Sequence, residues 1–481
     1  MPIRPILDAE TAARNMAEIE PKYSPQEAVV EANRCLFCFD APCIKACPTG
    51  IDIPAFIKKI STRNLTGSAR TILESNILGG SCARVCPTSV LCEGACVMLD
   101  RDQQPIKIGR LQRYATDHVF ENDLQVLHPP KQKSGKRVAL IGGGPASMGC
   151  AAELALLGHE AVIFEKKPEA GGLNTYGIAY YKLTPEMSLQ EVELIKQLGV
   201  EFRTGVEVGK DVSVSELEKE FDAIFVGVGL GHTYRLDIPG EKLPEVQEAL
   251  AFIEEFHVNP LHEVAVGQRV AVIGCGNTAI DAVTQAKRLG AEQAVIIYRR
   301  GPADMPAYVY EYDLAKRDGA EFIFHAVPVE VLEQDGHVAG LKLARSSVDD
   351  QGKLTVDESD TYELPFDMVI KALGQEKMTD MLNNLLPDLE LNPNGTIKTD
   401  ANGQTNIPHV FAGGDGANGG AEVVNAVGEG KKAARGIHRL FTQEDIEGPI
   451  QWTRMGVVDD KPLGSGLDNP VRVKEDAKAF V

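Results

Sequence analysis

"RVALIGGGPASMGCAAELALLGHEAVIFEK", residues 137–166, holds an apolar strand, a glycine turn, a helix and a second apolar strand in thirty positions. "RVAVIGCGNTAIDAVTQAKRLGAEQAVIIYRR", residues 269–300, repeats the plan. A single G-x-G-x-x-G is a weak signal. Two in one chain, each directly after an apolar strand and opening a helix, form a strong one for two dinucleotide-binding βαβ units. The expected fold is therefore α/β with two Rossmann-like domains.

In the first unit the glycines are Gly142 and Gly144, with Ser147 third. The first permits the tight turn. The second lets a pyrophosphate approach the backbone and the helix N-terminus, where unpaired N–H groups favour an anion. Ser147 is small enough for the helix to pack on the strand. Glu165 ends the second strand, where a carboxylate accepts ribose hydroxyls and repels a 2′-phosphate; this site suits FAD or NAD. In the second unit Gly274, Gly276 and Ala279 take the same places. The strand end is Tyr298-Arg299-Arg300, and two guanidiniums there can pair with a 2′-phosphate. That site reads as NADPH, with NADH, and a merely solvated strand end, as the alternatives. Near the C-terminus "TNIPHVFAGGDGANGG" (405–420) resembles the second FAD fingerprint of two-domain flavoproteins, with Asp415 on the ribityl and phosphate region. "DAIFVGVGLG" (222–231) and "DMVIKALGQ" (367–375) look like the strands that connect the two domains.

Eight of the ten cysteines lie between Cys35 and Cys96. "CLFCFDAPCIKACPTG" places Cys35, Cys38, Cys43 and Cys47 as C-x2-C-x4-C-x3-C-P, and "CARVCPTSVLCEGAC" places Cys82, Cys86, Cys92 and Cys96 as C-x3-C-x5-C-x3-C. The bacterial ferredoxin run also ends in Cys-Pro, and its last cysteine ligates the other cluster. Two closed zinc sites would use eight cysteines as well. Zinc carries no electrons, whereas a 4Fe–4S cluster takes them one at a time from a flavin, so two clusters are the expected reading. Cys150 and Cys275 sit at or beside the glycine turns and are expected to be small buried residues. The one C-x-x-C, Cys35/Cys38, precedes the first FAD strand, which argues against dithiol chemistry at the flavin.

The net charge of −20 over 481 residues argues against nucleic acid. No apolar run is long enough to cross a membrane, and the start, MPIRPILDAE, has no signal sequence, so a cytoplasmic protein is expected. The polar, Pro-containing "HPPKQKSGKR" (128–137) reads as a linker. Residues 1–130 are expected to form an α-helical domain held by its metal sites. Residues 131–245 with 375–440 would bind FAD, 246–374 would bind NAD(P)H, and 441–481 would be a C-terminal extension.

The cysteine block, "QPIKIGRLQRYATD" (104–117), "GGGPAS", "IFEK" and "FAGGDG" together resemble the electron-input half of dihydropyrimidine dehydrogenase, across about residues 25–440. The small subunit of glutamate synthase shares the architecture. The resemblance implies interleaved ligands: Cys35, Cys38, Cys43 and Cys96 on one cluster, and Cys47, Cys86, Cys92 and Gln112 on the other, with Cys82 a bystander. It also implies FAD contacts from Lys166, Gly172, Leu173, Lys182 and Val208. Nicotinamide-cofactor contacts follow at Asn277, Thr278, Ala372 and Gly374. The chain departs from the family pattern at Asn277, at Pro306 and in "IAYYKL" (178–183). The implied activity is oxidation of NAD(P)H at FAD, with electrons passed through two clusters to an FMN-containing catalytic subunit or another acceptor protein. A glutamate synthase large subunit or a ferredoxin is the runner-up acceptor. A zinc-stabilised NAD(P)-sensing module is the alternative of another class.

Overall fold

The computed structural model describes residues 3–101 and 103–446, with 457–458 and 461–462 as a two-residue antiparallel ladder. Apart from that ladder, the expected extension from 447 on lies outside the described residues. In chain order the strands are β1 (Arg137–Ile141), β2 (Glu160–Glu165), β3 (Glu201–Thr204), β4 (Ala223–Val226), β5 (Val246–Glu248), β6 (Arg269–Ile273), β7 (Gln293–Tyr298), β8 (Glu321–Phe324), β9 (Ala326–Gln334), β10 (His337–Val348), β11 (Leu354–Leu364), β12 (Met368–Lys371) and β13 (Val410–Ala412). The chain divides into two compact units. One comprises residues 20–174, 186–230 and 377 onward; the other comprises 1–19, 175–185 and 231–376.

In the first unit a parallel sheet runs β13-β4-β1-β2-β3. Strands β1 and β2 are buried on both faces after their first residue, as continuous apolar runs in a covered parallel sheet must be. The chain leaves β1 for β2 and β3 on one side, then returns to β4 on the other. The carboxyl end between β1 and β4 is therefore a topological switch point, the place where open α/β sheets bind ligands. The helices Ile53–Ser61, Leu65–Ser75, Gly79–Val85 and Ile108–Glu121 precede this sheet. Asp52 and Asn64 cap the first two, accepting from the N–H of Ala55 and Gly67. Ile53, Phe56, Ile57 and Ile60, spaced i, i+3, i+4 and i+7, form a buried stripe. That stripe shares one apolar core with Val138, Leu140 and Ile163 of the sheet, so hydrophobic burial holds the N-terminal helices to it.

In the second unit a parallel sheet runs β5-β12-β6-β7-β8, with its own switch point between β6 and β12. An antiparallel sheet β11-β10-β9 accompanies it, opened by a tight Asp335-Gly336 turn with both residues at positive φ.

Candidate cofactor sites

Both glycine turns are forced by the switch points themselves. Gly142 follows β1 at φ 93°, and a Cβ there would come within 2.6 Å of the carbonyl oxygen of Gly227, which follows β4. Gly274 follows β6 at φ 121°, and its Cβ would lie 2.2 Å from the carbonyl oxygen of Ala372, which follows β12. The second glycines differ. Gly144 and Gly276 have ordinary negative φ values and cap the twelve-residue helices Pro145–Leu156 and Asn277–Arg288 without a side-chain bond. A Cβ on Gly276 would meet nothing within 4 Å, and one on Gly144 would only touch Gly172 Cα at 4.0 Å. Neither glycine is required by packing inside the protein. What a side chain would obstruct is a ligand approaching uncapped helix N–H groups, which is the fit expected for a dinucleotide pyrophosphate.

At the first turn, Glu165 accepts from the N–H of Gly143 at 2.7 Å and of Lys167 at 2.8 Å, so the carboxylate is fixed and keeps lone pairs for a ribose. Ser147 is fully buried, with Oγ against Gly227. The loop through Gly171 and Gly172 is pinned to the turn by a 2.8 Å bond from Gly171 N to Gly143 O. Lys166 and Leu173 are exposed, and Val208 packs in the apolar cluster beneath β1 and β4. Asp415 begins the short helix Asp415–Asn418. Its carboxyl is pushed up by burial, opposed by the N–H of Ala421 at 3.2 Å and by Lys377.

At the second turn, Ala279 is buried against the sheet, Thr278 is half-buried, and Asn277 Oδ1 accepts from Tyr308 N at 3.1 Å. Arg299 is exposed at the end of β7, while Arg300 donates from Nη1 to Gly352 O at 3.1 Å. Gly374 takes φ 88° beside Tyr234. Lys182 lies in this unit. Its amine is buried between Asp281 at 2.5 Å and Glu311 at 2.6 Å. Burial alone would lower its pKa, but the two carboxylates hold it above the ordinary lysine value.

All ten cysteines are free thiols. Cys150 and Cys275 are buried, as small core residues. Of the other eight, Cys35, Cys38, Cys43 and Cys96 line one cavity, which joins the last cysteine of the second run to three of the first. Cys43 is pushed up to about 12, first by burial and then by the negative charge of Cys35, Cys96 and Cys38. Cys35 is raised by burial and by Cys38 and Cys96. Cys92 is raised by burial and then by the charge of Cys47, Glu93 and Cys43, and Cys86 by a thiol hydrogen bond with Cys82, by burial, and by the charge of Cys82, Cys92 and Cys47. Cys96 thus joins the first run and Cys47 the second. Crowded, desolvated thiols resist ionisation alone; bound iron supplies the cationic charge that makes thiolate ligands favourable. The sets are looser than a mononuclear site, for among the described residues no three His, Cys, Asp or Glu side chains are close enough to hold one ion. Gln112 is buried on the helix Ile108–Glu121, with Nε2 donating to Gly79 O at 2.7 Å, which leaves its carbonyl oxygen as the possible donor to a metal.

Residues 12–124 match the family described as dihydropyrimidine dehydrogenase domain II, 4Fe–4S cluster, and residues 136–430 match the pyridine nucleotide-disulphide oxidoreductase family. The chain is 35% identical to the NADPH glutamate synthase small chain of Halomonas elongata, over 89% of this chain and 94% of that one. It is 34% identical to PreT of Salmonella typhimurium, a subunit of NAD-dependent dihydropyrimidine dehydrogenase, over 89% and 97%. The chain belongs to this family. It is an FAD- and NAD(P)-dependent iron–sulfur oxidoreductase of the glutamate synthase small subunit and dihydropyrimidine dehydrogenase subunit type. Among solved structures, FprA of Mycobacterium tuberculosis shares the fold at TM-score 0.53 and 20% identity, over 64% of this chain and 85% of that one. Thioredoxin reductase of Lactococcus lactis does so at 0.51 and 22%, over 64% and 100%. Among the described residues no helix is long and apolar enough to cross a membrane.

Three acids at these sites were not read from the sequence. Glu429, fourteen residues after Asp415, accepts from Gly414 N at 2.7 Å and fixes the third turn. Asp281 and Glu311 bind Lys182. Each is a lone acid on a helix, with no local motif to single it out.

Proposed function

We propose that the chain is the electron-input component of a two-protein enzyme, oxidising NADPH at an FAD site and delivering electrons through two 4Fe–4S clusters to an acceptor protein. The observation that carries this reading is the cavity lined by Cys35, Cys38, Cys43 and Cys96, in the same compact unit as the Glu165 turn. The chemistry such groups supply is conversion of a hydride pair into single electrons. The chain's own residues bind and orient. Gly144 and Gly276 open the two helix ends to pyrophosphates, Glu165 takes a ribose, Asp415 takes the ribityl region, and Arg299 with Arg300 takes a 2′-phosphate. Cys35, Cys38, Cys43 and Cys96 hold one cluster; Cys47, Cys86, Cys92 and Gln112 hold the other.

The acceptor favoured by the N-terminal block is the FMN-containing subunit of a dihydropyrimidine dehydrogenase. A second reading, the large chain of glutamate synthase, is supported by the 35% identity to a small chain matched over nearly its whole length. The test of the core reading is optical. Purified anaerobically, the protein should show flavin bands over a broad cluster absorbance, and NADPH should bleach both. Bleaching of neither band by NADPH or NADH would overturn it.

A further inference from the structure

His325 stands between β8 and β9 in the left-handed region, at φ 57°. Glycine takes that conformation freely, whereas a side chain there costs strain, and such strained positions cluster at binding sites. The place of His325 is set by strand register. In the parallel pair of β7 and β8 the last partners are Tyr298 and Phe324, so Arg299 and His325 come next, side by side at the carboxyl edge. Three hydrogen bonds lock these segments together. His325 N donates to Arg300 O at 3.2 Å, Ser346 N to His325 O at 2.9 Å, and Ser346 Oγ to Arg299 O at 2.7 Å. Ser346 is buried on β10, so the antiparallel sheet braces the basic turn. The imidazole also faces that turn. A Cβ built on Gly301, the residue after Arg300, would lie 3.1 Å from His325 Nε2 and 3.3 Å from its Cε1. The residue is exposed, and no hydrogen bond among the described residues engages either ring nitrogen. Asp304 Oδ2 lies 3.7 Å from the same point and accepts from Gly301 N at 3.3 Å; one carboxylate leaves the two guanidiniums in excess.

We infer that His325 is a third donor to the 2′-phosphate of NADPH, beside Arg299 and Arg300; this rests on the NADPH reading of the β7 end. The sheet order β6-β7-β8 supplies the path. A dinucleotide with its pyrophosphate at the Gly274–Gly276 turn after β6 lies across the carboxyl ends, and its adenosine ribose comes to the end of β7, beside β8. An imidazole N–H donates to a phosphate oxygen in either protonation state. NADH has no phosphate at that position, so the contact discriminates between the two cofactors.

The experiment uses the full chain. Kd values are measured for adenosine 2′,5′-bisphosphate and for AMP, which differ only in the 2′-phosphate, together with KM for NADPH and NADH. His325→Gly removes the ring and relaxes the backbone. The expected result is a Kd for the bisphosphate raised on the order of tenfold. The KM for NADPH should rise in parallel, with the Kd for AMP, the KM for NADH, kcat and iron content unchanged. An unchanged Kd for the bisphosphate, or equal losses for it and AMP, would overturn the assignment. If His325→Gly does not fold, His325→Asp also tolerates this φ. It sets a carboxylate against the phosphate and should weaken the bisphosphate further still, with AMP unchanged; no loss would overturn the proposal equally. A parent protein that binds the bisphosphate no better than AMP would instead end the NADPH reading, and the inference with it.

Discussion

Arg299 and Arg300 follow β7 side by side, yet they are differently committed. Arg299 is exposed, whereas Arg300 spends one N–H on Gly352 O. A charge-assisted phosphate contact is worth about 1.5–3 kcal/mol. Arg299→Ala should therefore raise the KM for NADPH about tenfold or more and leave that for NADH nearly unchanged. Arg300→Ala should act in the same direction and also loosen the turn at Gly352. Steady-state kinetics with both cofactors decide this, and equal effects on the two would remove the 2′-phosphate role. The fourth ligand of the second cluster is the other question at this scale. Gln112 is tethered through Nε2 to Gly79, while Cys82 lies beside Cys86. With Gln112 as ligand, Gln112→Ala should lower iron content or change one reduced EPR signal, and Cys82→Ala should leave both clusters intact. The opposite pattern would move the ligand to Cys82.

At the scale of elements, Glu191 of the helix Pro185–Gln197 governs the start of the helix Gly79–Val85, whose C-cap is Cys86. It accepts from Gly80 N at 2.8 Å, from Ser81 N at 3.0 Å and from Ser81 Oγ. Burial nevertheless pushes its pKa up to about 7, against 4.5 unperturbed. The folded protein therefore holds this proton more tightly than the unfolded chain does. Stability falls as pH rises from about 4.5 to 7, by up to about 1.4 kcal/mol per pH unit, and is flat above. Glu191→Gln should flatten the thermal stability profile across that window, and an unaltered slope would assign the titration elsewhere. The βαβ elements were legible because buried parallel strands read as unbroken apolar runs and the turns that follow admit only glycine. The sheet β9–β11 was not read, although "QDGHV" (334–338) carries the Asp-Gly hairpin signal. Its strands alternate with charged residues and have no glycine motif to mark them.

At the scale of the whole chain, the grouping of the cysteines was not readable from spacing, which pairs neighbours. Cys96 joins Cys35, Cys38 and Cys43 around one cavity only because the fold brings distant positions together, whereas the Cys-Pro that closes the first run is a local hint that Cys47 turns to the other set. The identity of the acceptor is less legible still, since a docking surface has no fixed spacing and relatives at 34–35% identity belong to two different complexes. The division of labour can be tested without choosing between them. The two matched families imply a nicotinamide nucleotide, a flavin and 4Fe–4S clusters, and the proposed division of labour leaves the organic substrate to the partner. Purified alone, the chain should reduce artificial one- or two-electron acceptors with NADPH and leave uracil, thymine and 2-oxoglutarate unchanged. Adding the FMN subunit of a dihydropyrimidine dehydrogenase should then restore pyrimidine reduction; adding a glutamate synthase large chain should instead restore glutamate formation if that is the partner. Single electrons cross only a short gap, so cross-links in the active pair should map to the segment that bears the cysteines. Consumption of uracil by this chain alone would end the electron-input reading and require a substrate pocket of its own.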